Sequence, residues 1–116
     1  MRTLIANFAL LVTLLATPAR AHALLDHAEP RVGSTVAAAP REISMTFTQQ
    51  LEPAFSGAQV FDASGARVDQ GRAQIAGSVM RIAVKALPPG TYRVRWKVLS
   101  VDTHTTEGSF TFRVGP

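Results

Sequence analysis

Between Gly90 and Val98 the chain alternates without a break: Tyr92, Val94, Trp96 and Val98 are apolar or aromatic, while Arg93, Arg95 and Lys97 are cationic. A period of two cannot serve a helix, whose apolar face recurs every three or four residues. It requires a strand with one dry face and one wet face. The same alternation returns at Ile43, Met45 and Phe47, at Met80, Ile82 and Val84, and at Phe110, Phe112 and Val114. Turn-forming residues separate these runs, at Ser56-Gly57, Ser64-Gly65 and Leu87-Pro88-Pro89-Gly90, and no segment carries a helical period.

Further strands are expected at Ala23 to Ala28 and Ala58 to Asp62, with Ala66 to Asp69 as the return arm of a hairpin. Pro30, Gly33 and Pro40 mark a long irregular connection after the first strand. About seven short strands at this spacing predict an all-β fold, an antiparallel Greek-key sandwich or barrel with an immunoglobulin-like strand count. Met45 and Trp96 are expected in its core, and Tyr92 is expected to bury its ring while its hydroxyl reaches a backbone partner. The chain has no cysteine, so disulfides and thiolate metal sites are excluded and the core alone must hold the fold.

The first 21 residues read as a secretory leader. Arg2 is followed by an apolar stretch from Leu4 to Ala16, interrupted by Asn7 and Thr13; Pro18 and the small-x-small site Ala19-Arg20-Ala21 come next. That stretch is shorter than the roughly 20 residues a spanning helix needs. Cleavage after Ala21 leaves residues 22–116 as one exported domain that does not itself cross the membrane. Arg2 and Arg20 supply two units of the net charge of +4. The remaining cations alternate with apolar residues instead of forming a run, which gives nucleic-acid binding no support.

The same cleavage turns His22 into a terminal residue carrying both a free amine and an imidazole. Two neutral nitrogens in one small chelate suit a tetragonal ion such as Cu(II) better than magnesium or calcium. Between the last two strands lies Ser100-Val101-Asp102-Thr103-His104. If that stretch is extended, Asp102 and His104 point to one side, and with His22 they make a set of three nitrogens and one oxygen. Alone, Asp-x-His is an ordinary polar loop; the terminal histidine gives it meaning. His27, five residues after His22, would face the opposite side of a regular strand and reads as a surface or turn-bonding residue. No nucleophile and base pair stands out: Ser100 precedes Asp102, but spacing does not make a triad.

These residues resemble the periplasmic copper-resistance protein C family, whose members begin the mature chain with His and continue with a Pro-x-x-Gly segment, here Pro30 to Gly33. Gly-Thr-Tyr-x-Val-x-Trp follows at Gly90 to Trp96, Ser-x-Asp-x-His-x-x-x-Gly at Ser100 to Gly108, and Phe-x-Phe-x-Val at Phe110 to Val114. The resemblance implies a small periplasmic β domain binding one Cu(II) through His22, Asp102 and His104. It implies sequestration or delivery of copper, typically to a membrane copper transporter, and no catalysis. Two departures stand out. Where many members have Phe-Ser-Glu this chain has Phe47-Thr48-Gln49, which removes an acidic neighbour of the terminal amine and predicts weaker binding. The stretch Phe55 to Gly71 contains neither Met nor His, so no Cu(I) site is expected. Two other readings of the residues stand beside this one: a small copper oxidase or oxygenase built on a terminal histidine brace, and an immunoglobulin-like interaction domain without metal.

Overall fold

The alternating runs become two packed sheets. The computed structural model describes residues 23–116, in which eight strands run in chain order: β1 (Leu25–Glu29), β2 (Thr35–Val36), β3 (Glu42–Phe47), β4 (Gly57–Phe61), β5 (Asp69–Ala76), β6 (Val79–Val84), β7 (Gly90–Leu99) and β8 (Thr105–Val114). One sheet has the order β1-β3-β6-β5 and the other β2-β8-β7-β4. All neighbours are antiparallel except β2 and β8. A 3-10 turn, Pro53–Phe55, precedes β4. Among the described residues no helix is long and apolar enough to cross a membrane.

The core is the set of inward positions that the period of two marks. Ile43, Met45 and Phe47 from β3, Met80, Ile82 and Val84 from β6, Tyr92, Val94, Trp96 and Val98 from β7, and Phe110, Phe112 and Val114 from β8 are all buried. Phe47 and Trp96 join the two sheets edge to face, with ring centroids 5.1 Å apart. Trp96 also explains a glycine. Gly108 lies directly across the ladder from it, and a Cβ there would stand 2.5 Å from the Trp96 ring. At the other end of β7, Tyr92 stacks on Phe112 at 5.6 Å and its hydroxyl donates to the Pro88 carbonyl, the expected backbone partner.

Two strands escaped the sequence pattern. β2 is only two residues long, and β5 has no apolar alternation through Gln70-Gly71-Arg72. The described residues therefore hold eight strands, close to the seven or so expected. Ala66 to Asp69 pairs back on β4 only briefly: around the Phe61 to Arg67 bridge, Asp62 N–H donates to the Ala66 carbonyl at 2.9 Å and Val68 N–H to the Val60 carbonyl at 2.8 Å, and the chain then crosses to the other sheet, where β5 pairs with β6. A side chain extends this short arm. Asp69 accepts from the Val60 N–H at 2.8 Å and from the Arg67 guanidinium at 2.6 Å. Its side chain is only 4% exposed. Burial works to raise the Asp69 carboxyl, but the Arg67 and Val60 donors outweigh it and hold it below the ordinary carboxylate value.

Two outcomes follow from this packing. Gly108→Ala is expected to cost about 1–3 kcal/mol of unfolding free energy, because the methyl and the Trp96 ring cannot share the space; urea denaturation checks it. Asp69 has a lowered folded-state pKa, so its stabilisation is complete above its unfolded value of 3.8 and disappears as pH falls through the folded value. Asp69→Ala should therefore destabilise the protein by about 1–3 kcal/mol at neutral pH by stranding the Val60 N–H. The gap to the parent should narrow as pH falls below 3.8 in acid-dependent melts.

Candidate metal centre

The β7–β8 ladder runs through ten consecutive pairs from Gly90↔Val114 to Leu99↔Thr105, so the connection is the five-residue loop Ser100 to His104. Neighbouring chain pins this loop from outside. Glu52 donates to the Leu99 carbonyl at 2.8 Å, Val101 donates to the Gln50 carbonyl at 3.0 Å, and Leu51 bridges to Ser100.

Within the loop, Ser100 is the hub. It is fully buried, the one buried polar residue among the described residues. Its N–H donates to the His104 carbonyl at 3.0 Å, its carbonyl accepts from Thr103 N–H at 2.9 Å, and its hydroxyl donates to the Asp102 carboxylate. The loop is thus a closed turn and not an extended segment. Thr103 takes a φ of +74°, a left-handed conformation unusual for a β-branched residue. Asp102 and His104 still converge as expected, but the reversal at Thr103 brings them together and strand alternation does not. Asp102 Oδ1 lies 3.6 Å from His104 Nδ1, and both side chains are roughly half exposed. The Ser100 hydroxyl is the main influence holding the Asp102 carboxyl below its ordinary value; partial burial opposes it and the His104 ring adds to it. This carboxylate is thus anionic at neutral pH and open to solvent on one side. The hydroxyl donates to the carboxylate, so Ser100 serves to aim Asp102.

The start of the described chain arrives at the same place. Ala23 is fully buried and its carbonyl accepts from the Thr106 hydroxyl at 2.5 Å, two residues beyond His104. Leu24 and Thr48 exchange hydrogen bonds of 2.9 Å, one through the Thr48 hydroxyl and one through its backbone N–H. The segment before β1 is thereby fastened between β3 and β8. His22 itself lies outside the described residues, as does the leader. Among the described residues no group of three His, Cys, Asp or Glu side chains could hold a metal, so a site built on Asp102 and His104 needs donors from elsewhere. His27 is on exposed β1 surface, with Nδ1 2.7 Å from Asp26 Oδ2, in keeping with the surface role read from the sequence. Gln49 follows the Thr48 that fastens Leu24.

Residues 25–115 match the family model described as the CopC domain. The chain belongs to the CopC family. Protein YobA of Escherichia coli strain K12 is 37% identical to it over 97% of this chain and 95% of its own length. Copper resistance protein C of Escherichia coli is 35% identical over 90% of both chains. Copper transport protein CutJ of Bacillus subtilis is 29% identical over 82% of this chain but only 18% of its own length. The crystal structure of CopC from Methylosinus trichosporium OB3b superimposes with a TM-score of 0.73 at 33% identity, covering 82% of this chain and 95% of that one. The CopC relatives thus share the two-sheet fold, and those named for a process are named for copper resistance or copper transport.

What the sequence did not reveal is the support around the two side chains. Ser100 stood out only as the residue before Asp102, and its burial could have been inferred from the inward parity it shares with Val98. The left-handed Thr103 had no signal at all, since glycine and asparagine are the usual markers of that conformation. Replacing it tests the strain. Thr103→Gly should raise the unfolding free energy by up to about 1 kcal/mol, the relief of strain being partly offset by glycine's freedom in the unfolded chain. A denaturant midpoint equal to or below the parent's would show that the turn stores no strain.

Proposed function

We propose that residues 1–21 are removed on export and that the remaining domain binds one Cu(II) in the periplasm. The donors are the amine and imidazole of His22, the Asp102 carboxylate and the His104 imidazole. The observation that carries this reading is the meeting of Asp102 and His104 in a pinned turn, beside the strand end where Ala23 is tied to Thr106. Ala23, the residue that follows His22 in the chain, is held beside the loop by that tie. The donor chemistry agrees: imidazole and amine nitrogens with one carboxylate oxygen suit Cu(II), and Asp102 is ionised and ready.

In this reading Ser100 holds the Asp102 carboxylate toward the metal, the ladder fixes His104, and the buried Ala23 delivers the terminal chelate. The function is to hold copper and pass it on, not to turn over a substrate, since four protein donors leave little room for oxygen or a second ligand in a tetragonal plane. The relatives named for copper resistance support this, and so does the recurrence of the domain within the much longer copper transport protein CutJ. A membrane copper transporter is the receiving partner. Gln49, in place of a carboxylate, weakens the hold without removing a ligand.

The test compares the processed protein with a version carrying one extra residue before His22. The extension should lower Cu(II) affinity by orders of magnitude and change the nitrogen hyperfine pattern in electron paramagnetic resonance; an unchanged affinity and spectrum would sink the terminal-histidine site. Because amine and imidazoles must release protons to bind, acidification should discharge the metal from the parent.

A further inference from the structure

The outer face of the β4-β7-β8 sheet carries a charge distribution that folding does not require. Its outward positions are Gly57, Gln59 and Phe61 on β4, Thr91 to Leu99 at every second residue on β7, and Thr105 to Arg113 at every second residue on β8. Among them stand four cations, Arg93, Arg95, Lys97 and Arg113, against a single carboxylate, Glu107. The opposite sheet is different. Its strands carry Glu29 and Glu42 with Arg81 and, on β5, the exposed Arg72, and Arg81 lies 3.7 Å from Glu42. The excess of cations over carboxylates is thus gathered on the β4-β7-β8 side.

The cations of β7 recur about every 7 Å along the strand. The cross-strand neighbours of the two arginines do not neutralise them: Arg93 faces Phe61 and Thr111, and Arg95 faces Gln59 and Ser109. Arg93 and Arg113 donate only to hydroxyls, of Ser109 at 3.4 Å and Thr91 at 2.7 Å. Glu107 stands opposite Lys97. At the loop end the face becomes a broad open depression, and Phe55 on its rim is 70% exposed.

We propose that this face docks the domain on an anionic phospholipid surface, with Arg93, Arg95, Lys97 and Arg113 over the phosphates and Phe55 at the headgroup boundary. Charge complementarity carries the assignment. The cations are spread over a rigid plane on two strands and do not line a slot, which fits a laterally extended array of phosphates better than a single acidic peptide. Arginine forks match phosphate oxygens, and an exposed apolar ring such as Phe55 beside them can enter the boundary between headgroups and acyl chains. This inference is independent of the copper site and would stand if that reading fell.

The test is co-sedimentation of the protein beginning at His22, which retains every strand and core residue described above, with phosphatidylcholine vesicles with and without phosphatidylglycerol. The protein should bind only the anionic vesicles and be released by salt. Each cation near such a surface contributes about fivefold in partitioning, so the triple variant R93Q/R95Q/K97Q should bind roughly a hundredfold more weakly. The triple variant R41Q/R81Q/K85Q, with the same net charge but altered at the β3–β6 sheet and its ends, should retain most of the binding. Thermal melts verify that both fold. Failure of the parent to bind anionic vesicles at low salt, or equal loss in both variants, overturns the proposal. Capture of an acidic peptide through Arg93, Arg95 and Lys97 without vesicle binding also overturns it and assigns the face to a protein.

Discussion

The ten-pair register between β7 and β8 is the constraint on which the other features rest. Because side chains alternate, a slip of one residue would exchange the faces of the whole strand. It would bury Arg93, Arg95 and Lys97 and expose Trp96. The register is held at one end by Tyr92 stacked on Phe112 and near the other by Trp96 filling the space that Gly108 leaves. Fixing it also fixes the loop, since Leu99↔Thr105 is the last pair and only five residues remain to reverse the chain. The core, the Asp102 and His104 pair and the cationic face are three results of one alignment.

The parts of the fold that were legible in the sequence are those where burial and alternation coincide. Strands β3, β6, β7 and β8 each present apolar residues at every second position to a common core, and nothing local competes with that signal. β5 was hidden because it is an edge strand with its register broken between Gln70 and Gln74, so only Ala73 and Ile75 pack against the core. β2 was hidden because a two-residue strand carries no period. The short arm after Gly65 shows the limit of turn signals: they locate a reversal, but not how far the next residues pair back before they cross to the other sheet. The Asp69 carboxylate, bonded to the Val60 N–H, stands where that crossing begins.

The candidate site divides in the same way. Asp102 and His104 were singled out by their types and spacing taken together with His22 and the motif around them, since alone such a pair is an ordinary polar loop. The reason they meet was not legible. It lies in a buried Ser100 hydroxyl and a left-handed Thr103, and both depend on the closed turn that Gln50 and Leu51 pin from outside. Fastening Ala23 to Thr106 and Leu24 to Thr48 likewise joins residues more than twenty positions apart. No short-range pattern encodes such a contact.

A domain of two open sheets leaves strand edges that could recruit a second copy of the chain. Here the edges are interrupted. On β4 the Val60 N–H is taken by the Asp69 side chain. On β5 Gly71 turns to a φ of +72° where the ladder breaks, and on β1 the register shifts between Leu25 and His27. None of these edges offers a long, even row of free donors and acceptors. A small cysteine-free protein can thus be kept from polymerising by local irregularities in its outermost strands, without a closed barrel.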